Sequence, residues 1–336
     1  MAIAEEDLLG TVGVLRRYPV KSMLGEELRA CDVTGRGLVG DRVLGVVHRE
    51  TGKVASAKNP RLWRGMLRLA AASGWDVKIT FPDGTAMASG DRGVDAALSD
   101  FLGHTVTLAA APPPDATLDR ADPEQVLRDG VEVPVRVEVG QLGGASPEGT
   151  FFDFAPLHLL TTSTLDRIAE LSPRGTVELE RYRPNMVIRT TVPGFAENDW
   201  QGRDLRIGSD LVVRVMARTP RCAIPTLEHG DLPRDVAALR VPAVHNRISP
   251  LEDTGPQPCA GVYAQVLRPG GVRIGDMVRL VVLGLSPDFV GRLPVGVGDP
   301  ERREVCGGRR LKCRVVVGRG RGNDALDRYR RRGGDR

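Results

Sequence analysis

The stretch 205–216, Leu-Arg-Ile-Gly-Ser-Asp-Leu-Val-Val-Arg-Val-Met, decides the fold class. Leu205 and Ile207, then Leu211, Val213 and Val215, recur every second position, and Gly208-Ser209-Asp210 separates the two runs. Period-two apolar runs about a turn cluster read as a β-hairpin with one buried face. Toward the C-terminus, Gly261–Leu267 and Met277–Val282 read as two further strands, with Pro269-Gly270-Gly271 as a turn between them. Toward the N-terminus, strands are predicted at Asn185–Thr190, Val131–Val139, Thr105–Leu108, Asp76–Phe81, Val43–His48, Leu28–Val33 and Thr11–Arg16. Pro82-Asp83-Gly84 marks a hairpin after Phe81, and Pro134 suggests an edge position for its strand. One helix stands out. Ser163 and Asp166 have capping-box spacing, Leu165, Ile168 and Ala169 share a face, and Ser172-Pro173 stops the run. The order is not β-α-β, so a Rossmann fold is excluded. The expectation is a mostly β (α+β) chain of barrel-like architecture with a few short helices.

The proline run 112–114 cannot donate to a ladder and favours an extended connection. It divides the chain into a small N-terminal β-barrel domain (1–111) and a second β-barrel domain (112–285). The segment 286–336 holds 14 basic and 7 acidic residues, and the rest of the chain 33 and 36. The net charge of +4 therefore resides in the tail, which reads as a basic, disordered segment. This distribution, with aromatics at 4%, argues against a nucleic-acid surface. No apolar run is long enough to cross a bilayer, and MAIAEEDLLG has no basic n-region. A cytoplasmic protein is expected, with no membrane partner. Five cysteines without a C-x-x-C pair point to reduced thiols rather than a disulfide framework or a zinc site.

Four short segments carry chemistry. Lys21 and Ser22 close Tyr18-Pro19-Val20-Lys21-Ser22 at a strand end, where an ammonium and a hydroxyl can hold an anion. Gly40-Asp41-Arg42 presents a guanidinium fork suited to phosphate, or else a surface ion pair. Arg181-Tyr182-Arg183-Pro184-Asn185 places basic groups and an amide at the mouth of a strand. In Arg218-Thr219-Pro220-Arg221-Cys222, two arginines flank a thiol, which favours thiolate, a nucleophile and a soft metal ligand. Each segment alone also has an ordinary structural reading.

In combination and order, Lys21-Ser22, Asp41-Arg42, Asp153, Arg183-Pro184-Asn185, Arg221-Cys222 and Gly261-Val262-Tyr263 resemble the MOSC family with its N-terminal β-barrel. The mitochondrial amidoxime reducing component and bacterial relatives belong to that family. The stretches 40–63, 151–165, 230–235, 245–247 and 259–278 extend the resemblance over roughly residues 9–283. It implies a molybdenum cofactor (Mo-molybdopterin), with Cys222 as the protein's metal ligand. It assigns Lys21, Ser22, Arg42, Arg183 and Asn185 to the pterin and its phosphate, puts Tyr263 at the cofactor, and makes Asp153 an acid near the metal. Arg221 either shapes the pocket or pairs with an acid. The implied activity is an oxidoreductase acting on a small N-hydroxylated or N-oxide-type substrate, with Asp153 assisting proton delivery.

No membrane anchor like that of the mitochondrial members is expected. Cys306 and Cys313 do not match the spacing of a plant-type ferredoxin cluster. Electrons are therefore expected from a separate ferredoxin, flavodoxin or reductase-type protein. Two other readings stay open: a sulfur carrier using a persulfide on Cys222, and a non-catalytic carrier of the cofactor.

Overall fold

A computed structural model of the chain describes residues 7–281. The basic tail 286–336, with Cys306 and Cys313, lies outside the described residues.

Seven strands close into a barrel. In spatial order they are Leu157–Thr161, Met186–Arg189, Leu8–Arg17, Met277–Leu280, Asp204–Ile207, Leu211–Pro220 and Gln257–Arg268, which pairs back onto Leu157–Thr161. Leu157–Thr161 and Met186–Arg189 run parallel, and the other neighbours are antiparallel. The expected hairpin is present, with Ile207 opposite Leu211 and Leu205 opposite Val213. Leu205, Ile207, Leu211, Val213, Val215, Val262 and Val278 point into one buried core with Leu15, Leu159 and Ile188. Alternation in the sequence thus becomes an inner and an outer face. The strand Leu8–Arg17, first in the chain, is central to this barrel, between Met186–Arg189 and Met277–Leu280.

A second core gathers Val20, Met23, Val46, Trp63, Met66, Leu69, Ile79, Leu98 and Val106 from the N-terminal third. Gly45–His48 pairs with Val106–Ala109, and Ala70–Ala72, Lys78–Thr80 and Ala86–Ala88 form a small sheet. Residues 18–23 pass from the first core to the second, and the candidate residues collect at that crossing.

Several elements differ from expectation. The helix Thr162–Leu171 is capped by Thr161, whose Oγ1 accepts the Thr164 N–H, so Ser163 and Asp166 lie inside it. Its end at Ser172 is as expected. In the run 131–139 only the end is extended, as Val137–Gln141 on Thr117–Ala121, and Pro134 stays outside the ladder it cannot join. Gly270–Arg273, expected as part of a turn, pairs with Ala30–Thr34. The helices Val94–Leu102, Pro123–Asp129 and Ala237–His245 were not anticipated. No helix among the described residues is long and apolar enough to cross a membrane.

Candidate functional site

Tyr18, just past the first barrel strand, organises the first half of the site. Its backbone N–H donates to Asp41 Oδ1 at 2.6 Å, and its carbonyl accepts the Arg42 N–H at 2.8 Å. The guanidinium carbons of Arg183 and Arg42 lie 4.3 and 4.9 Å from the centre of its ring, within cation–π range. The pair Asp41–Arg42, open to a surface reading in the sequence, is inward-facing. Asp41 is buried, binds the Arg42 guanidinium and accepts Asn185 Nδ2 at 3.0 Å. Arg42 Nη1 also reaches Asn185 Oδ1 at 3.5 Å.

Lys21 and Ser22 follow in the crossing segment, both buried. Lys21 Nζ donates to Phe151 O at 2.9 Å and to Asp153. Lys58 Nζ approaches the same Asp153 oxygen at 3.0 Å. Burial pushes the Lys21 ammonium down to about 8 against the attraction of Asp153. Burial alone would raise the Asp153 carboxyl, but the two ammonium groups outweigh it and hold Asp153 well below the usual carboxylate range. Ser22 Oγ accepts the Ala57 N–H at 3.2 Å, and Ala57 belongs to the apolar cluster that surrounds Cys222.

Arg183 and Asn185 enter from the segment before Met186–Arg189. Arg183 Nη1 donates to Met23 O, while its Nη2 is buried without a protein partner. Burial, then the neighbouring Arg42, lower the Arg183 guanidinium to about 10. Arg181, two residues earlier, does not join the site. It is fully buried, with its guanidinium bound to Glu178 and to the carbonyls of Leu227 and Pro233.

Cys222 is buried with Ala57, Leu67, Ala223, Ile224 and Leu227. Arg221 lies over the Tyr182 ring at 5.3 Å and donates Nη2 to Tyr182 O at 2.9 Å, and its buried Nε has no protein partner. Arg218, expected beside the thiol, is instead bonded to the carbonyls of Asn198 and Ser249. The thiol is therefore flanked by one arginine of the site: the strand register shifts between Arg218 and Pro220, and the strand ends at Pro220, before Arg221 and Cys222. Tyr263, its phenol pushed up by burial and then by Asp153, lies within electrostatic reach of Asp153, Arg221 and Cys222. Its ring packs 5.4 Å from Phe154 and 5.8 Å from His158.

Among the described residues, Lys21 and Lys58 pair with Asp153 and Arg42 with Asp41, whereas Arg183 and Arg221 form no ion pair. Ser22, Arg42 and Arg183 all have left-handed backbones, with φ of 64°, 49° and 55°. Asp115 is the one other non-glycine residue with positive φ among the described residues. Such strain, at about 1–3 kcal/mol per residue, is held only where the surroundings over-determine it, as at ligand sites. The arrangement suits an anion beside a thiol. A surface concavity of about 720 Å³, lined by Glu27, Arg29 and Arg273 among others, lies elsewhere and gathers none of these groups.

Sequence reasoning left out Lys58, Tyr18, His158 and the buried role of Asp41. Asp41 carried a signal, since it adjoins Arg42 in a Gly-Asp-Arg turn. Lys58 carried none, because only folding sets it against Asp153. Among the described residues no three His, Cys, Asp or Glu side chains cluster as a metal site.

No curated protein matches the chain. Among solved structures, the YUAD protein from Bacillus subtilis aligns at 12% identity and a TM-score of 0.40, over 81% of this chain and 96% of that one. YiiM from Geobacillus stearothermophilus aligns at 14% identity and a TM-score of 0.26, over 44% and 69%. Residues 9–110 match the MOSC N-terminal beta barrel domain, and residues 147–279 match the MOSC domain. The second match contains Asp153, Arg183, Asn185, Arg221, Cys222 and Tyr263, and the first contains Lys21, Ser22 and Arg42. The chain belongs to the MOSC domain family and carries that family's N-terminal β-barrel domain.

Proposed function

We propose that the chain binds a molybdenum cofactor, with Cys222 as its sulfur ligand, and reduces small N-hydroxylated or N-oxide-type molecules. One observation carries the reading: three left-handed residues, Ser22, Arg42 and Arg183, converge with buried N–H groups of Arg183 and Arg221 that have no protein partner. Buried donors without partners are rare and call for an occupant. A pterin bearing a phosphate dianion fits them, since it brings acceptors and negative charge to a cluster rich in cations. The donor set fits as well, because a lone thiol suits a metal whose other ligands come with the cofactor. When bound, the cofactor supplies two-electron redox chemistry.

The protein groups have separable tasks. Lys21, Ser22, Arg42 and Arg183 hold the phosphate, and Asn185, whose amide bonds Asp41, Arg16 O and the His158 backbone N–H, holds the arm that carries Arg183. Tyr263 walls the pocket beside Cys222. Arg221 offers Nε to the ligand while Tyr182 fixes its other end. Reducing an N-hydroxyl group to N–H and water takes two electrons and two protons. Asp153, kept ionised by Lys21 and Lys58, is not the acid at neutral pH. It holds the Lys21 and Lys58 ammonium groups in place beside the site. The electrons come from a separate redox protein.

Elemental and pterin analysis of protein made in a host competent for the cofactor tests this reading. It predicts near-stoichiometric molybdenum and molybdopterin, and turnover of an amidoxime with a chemical reductant. Cofactor without turnover would make the chain a carrier. No molybdenum, with a persulfide on Cys222, would make it a sulfur-transfer protein.

A further inference from the structure

Both ring nitrogens of the buried His158 face backbone carbonyls. Nδ1 lies 3.3 Å from Arg183 O, and Nε2 lies 3.4 Å from Ala260 O. A neutral imidazole has a single N–H, so one of these carbonyls meets a lone pair, whereas an imidazolium satisfies both.

The residue is also wedged among site residues. Its N–H donates to Asn185 Oδ1 at 3.1 Å, and its carbonyl accepts the Asn185 N–H at 2.8 Å. It is paired in register with Tyr263. Gly261 makes room for the ring, since a Cβ there would lie 2.3 Å from His158 Nε2.

The charged and titratable groups around it are Arg221, Arg42 with Asp41 behind Asn185, Arg183, and the Tyr263 phenol. Glu197 accepts the Gly261 N–H at 2.9 Å on the other side. Burial, with Arg221 adding to it, pushes the ring down to about 3, so it is neutral at pH 7 with one carbonyl unmatched.

We propose that His158 is a positioning residue of the anion site that takes up one proton from solvent when a dianion occupies the cluster of Arg42, Arg183 and Arg221. A dianion there offsets the cationic field that opposes charging of the ring. The imidazolium then donates to Arg183 O and Ala260 O together. This ties the left-handed Arg183 to the strand that carries Tyr263, so the binding arm and the pocket wall tighten in one step. The inference rests on the anion site of the proposed function, and it concerns the residues of the chain rather than the redox reaction.

The test uses cofactor-free protein and sulfate, a dianion throughout the range used. Calorimetry in buffers of different ionisation enthalpy reads proton uptake near pH 5.5, where Lys21 is already charged. Nitrogen NMR of labelled histidine reads the His158 ring directly. The expected result is an affinity for sulfate that rises by up to about tenfold per pH unit as pH falls from about 6.5 to 5.5. The ring should change from neutral to imidazolium on saturation, and His158→Asn should reduce the pH effect to less than about twofold. Sulfate binding with the ring neutral before and after would overturn the inference alone, even if the variant did not fold. No sulfate binding at any pH would overturn the inference and the anion site together.

Discussion

Asp41 and Asn185, 144 residues apart in the chain, meet through a 3.0 Å hydrogen bond from Asn185 Nδ2 to Asp41 Oδ2. The same carboxylate accepts the Tyr18 N–H and binds the Arg42 guanidinium, so one buried acid joins the three segments that make the anion site. Asp41→Asn keeps the shape and removes the charge. Breaking one partner of a buried pair leaves the other uncompensated, at about 3–5 kcal/mol. Urea unfolding should show a loss near the lower end, because Arg42 retains some solvent contact. A loss below about 1 kcal/mol would show that Asp41 does not hold the segments together.

Arg183→Ala should weaken cofactor retention roughly tenfold to a hundredfold, the equivalent of one charge-assisted hydrogen bond at about 1.5–3 kcal/mol. The measurement is the molybdopterin remaining after dilution and gel filtration. Unchanged retention would remove Arg183 from the site.

Gly261 has φ of +84°, and a Cβ there would meet His158 Nε2 at 2.3 Å and Leu159 O at 2.7 Å. Gly261→Ala adds the left-handed penalty to a clash with a main-chain oxygen that cannot move aside. A loss of about 2–4 kcal/mol is expected in denaturant unfolding.

Acid stability of the cofactor-free protein should reflect two buried imidazoles. Burial lowers His158 to about 3 and His229 to about 4, below the unfolded value of about 6.5. Between those limits the unfolded chain binds more protons, so stability rises with pH and is lost as pH falls through about 6.5 toward 4. Each histidine should remove about 2 kcal/mol between pH 7 and pH 5. Asp153 acts lower. Its depressed folded value gives stability present above the unfolded carboxylate range and lost only in stronger acid. Unfolding curves at pH 7 and 5 for wild type and His229→Asn check this, and the variant should lose less on acidification.

The barrel was legible where one face is buried and the other is not. Leu205–Ile207 and Leu211–Met216 alternate because they line a core, and their pairing is the one the sequence implied. Strand ends were less legible. Leu211–Pro220 runs past Met216 because Gln257–Arg268 pairs along it, and pairing across a sheet leaves no local mark. Val94–Leu102 begins at Gly93 without a side-chain cap, and its one clear signal is the left-handed Gly103 at its end. Ala237–His245 contains Pro242, which breaks the usual helical reading. In the site, motifs with several polar residues together were legible. Lys58 and His158 were not, because their partners Asp153, Arg183 and Ala260 are distant in sequence. Arg218 shows the reverse case, a neighbour in sequence that folding directs away from the thiol.

The central claim is that Cys222 binds molybdenum, and X-ray absorption at the molybdenum edge tests it most directly. The measurement compares wild type with Cys222→Ser, both loaded in a cofactor-competent host. Serine is nearly isosteric and offers a hard oxygen in place of a soft sulfur. The account predicts one metal–sulfur contact fewer in the variant and a collapse of amidoxime turnover, with folding intact and pterin retained through its phosphate. The corresponding Cys259→Ser and Cys31→Ser variants should match wild type. An unchanged sulfur shell and full activity in Cys222→Ser would contradict it.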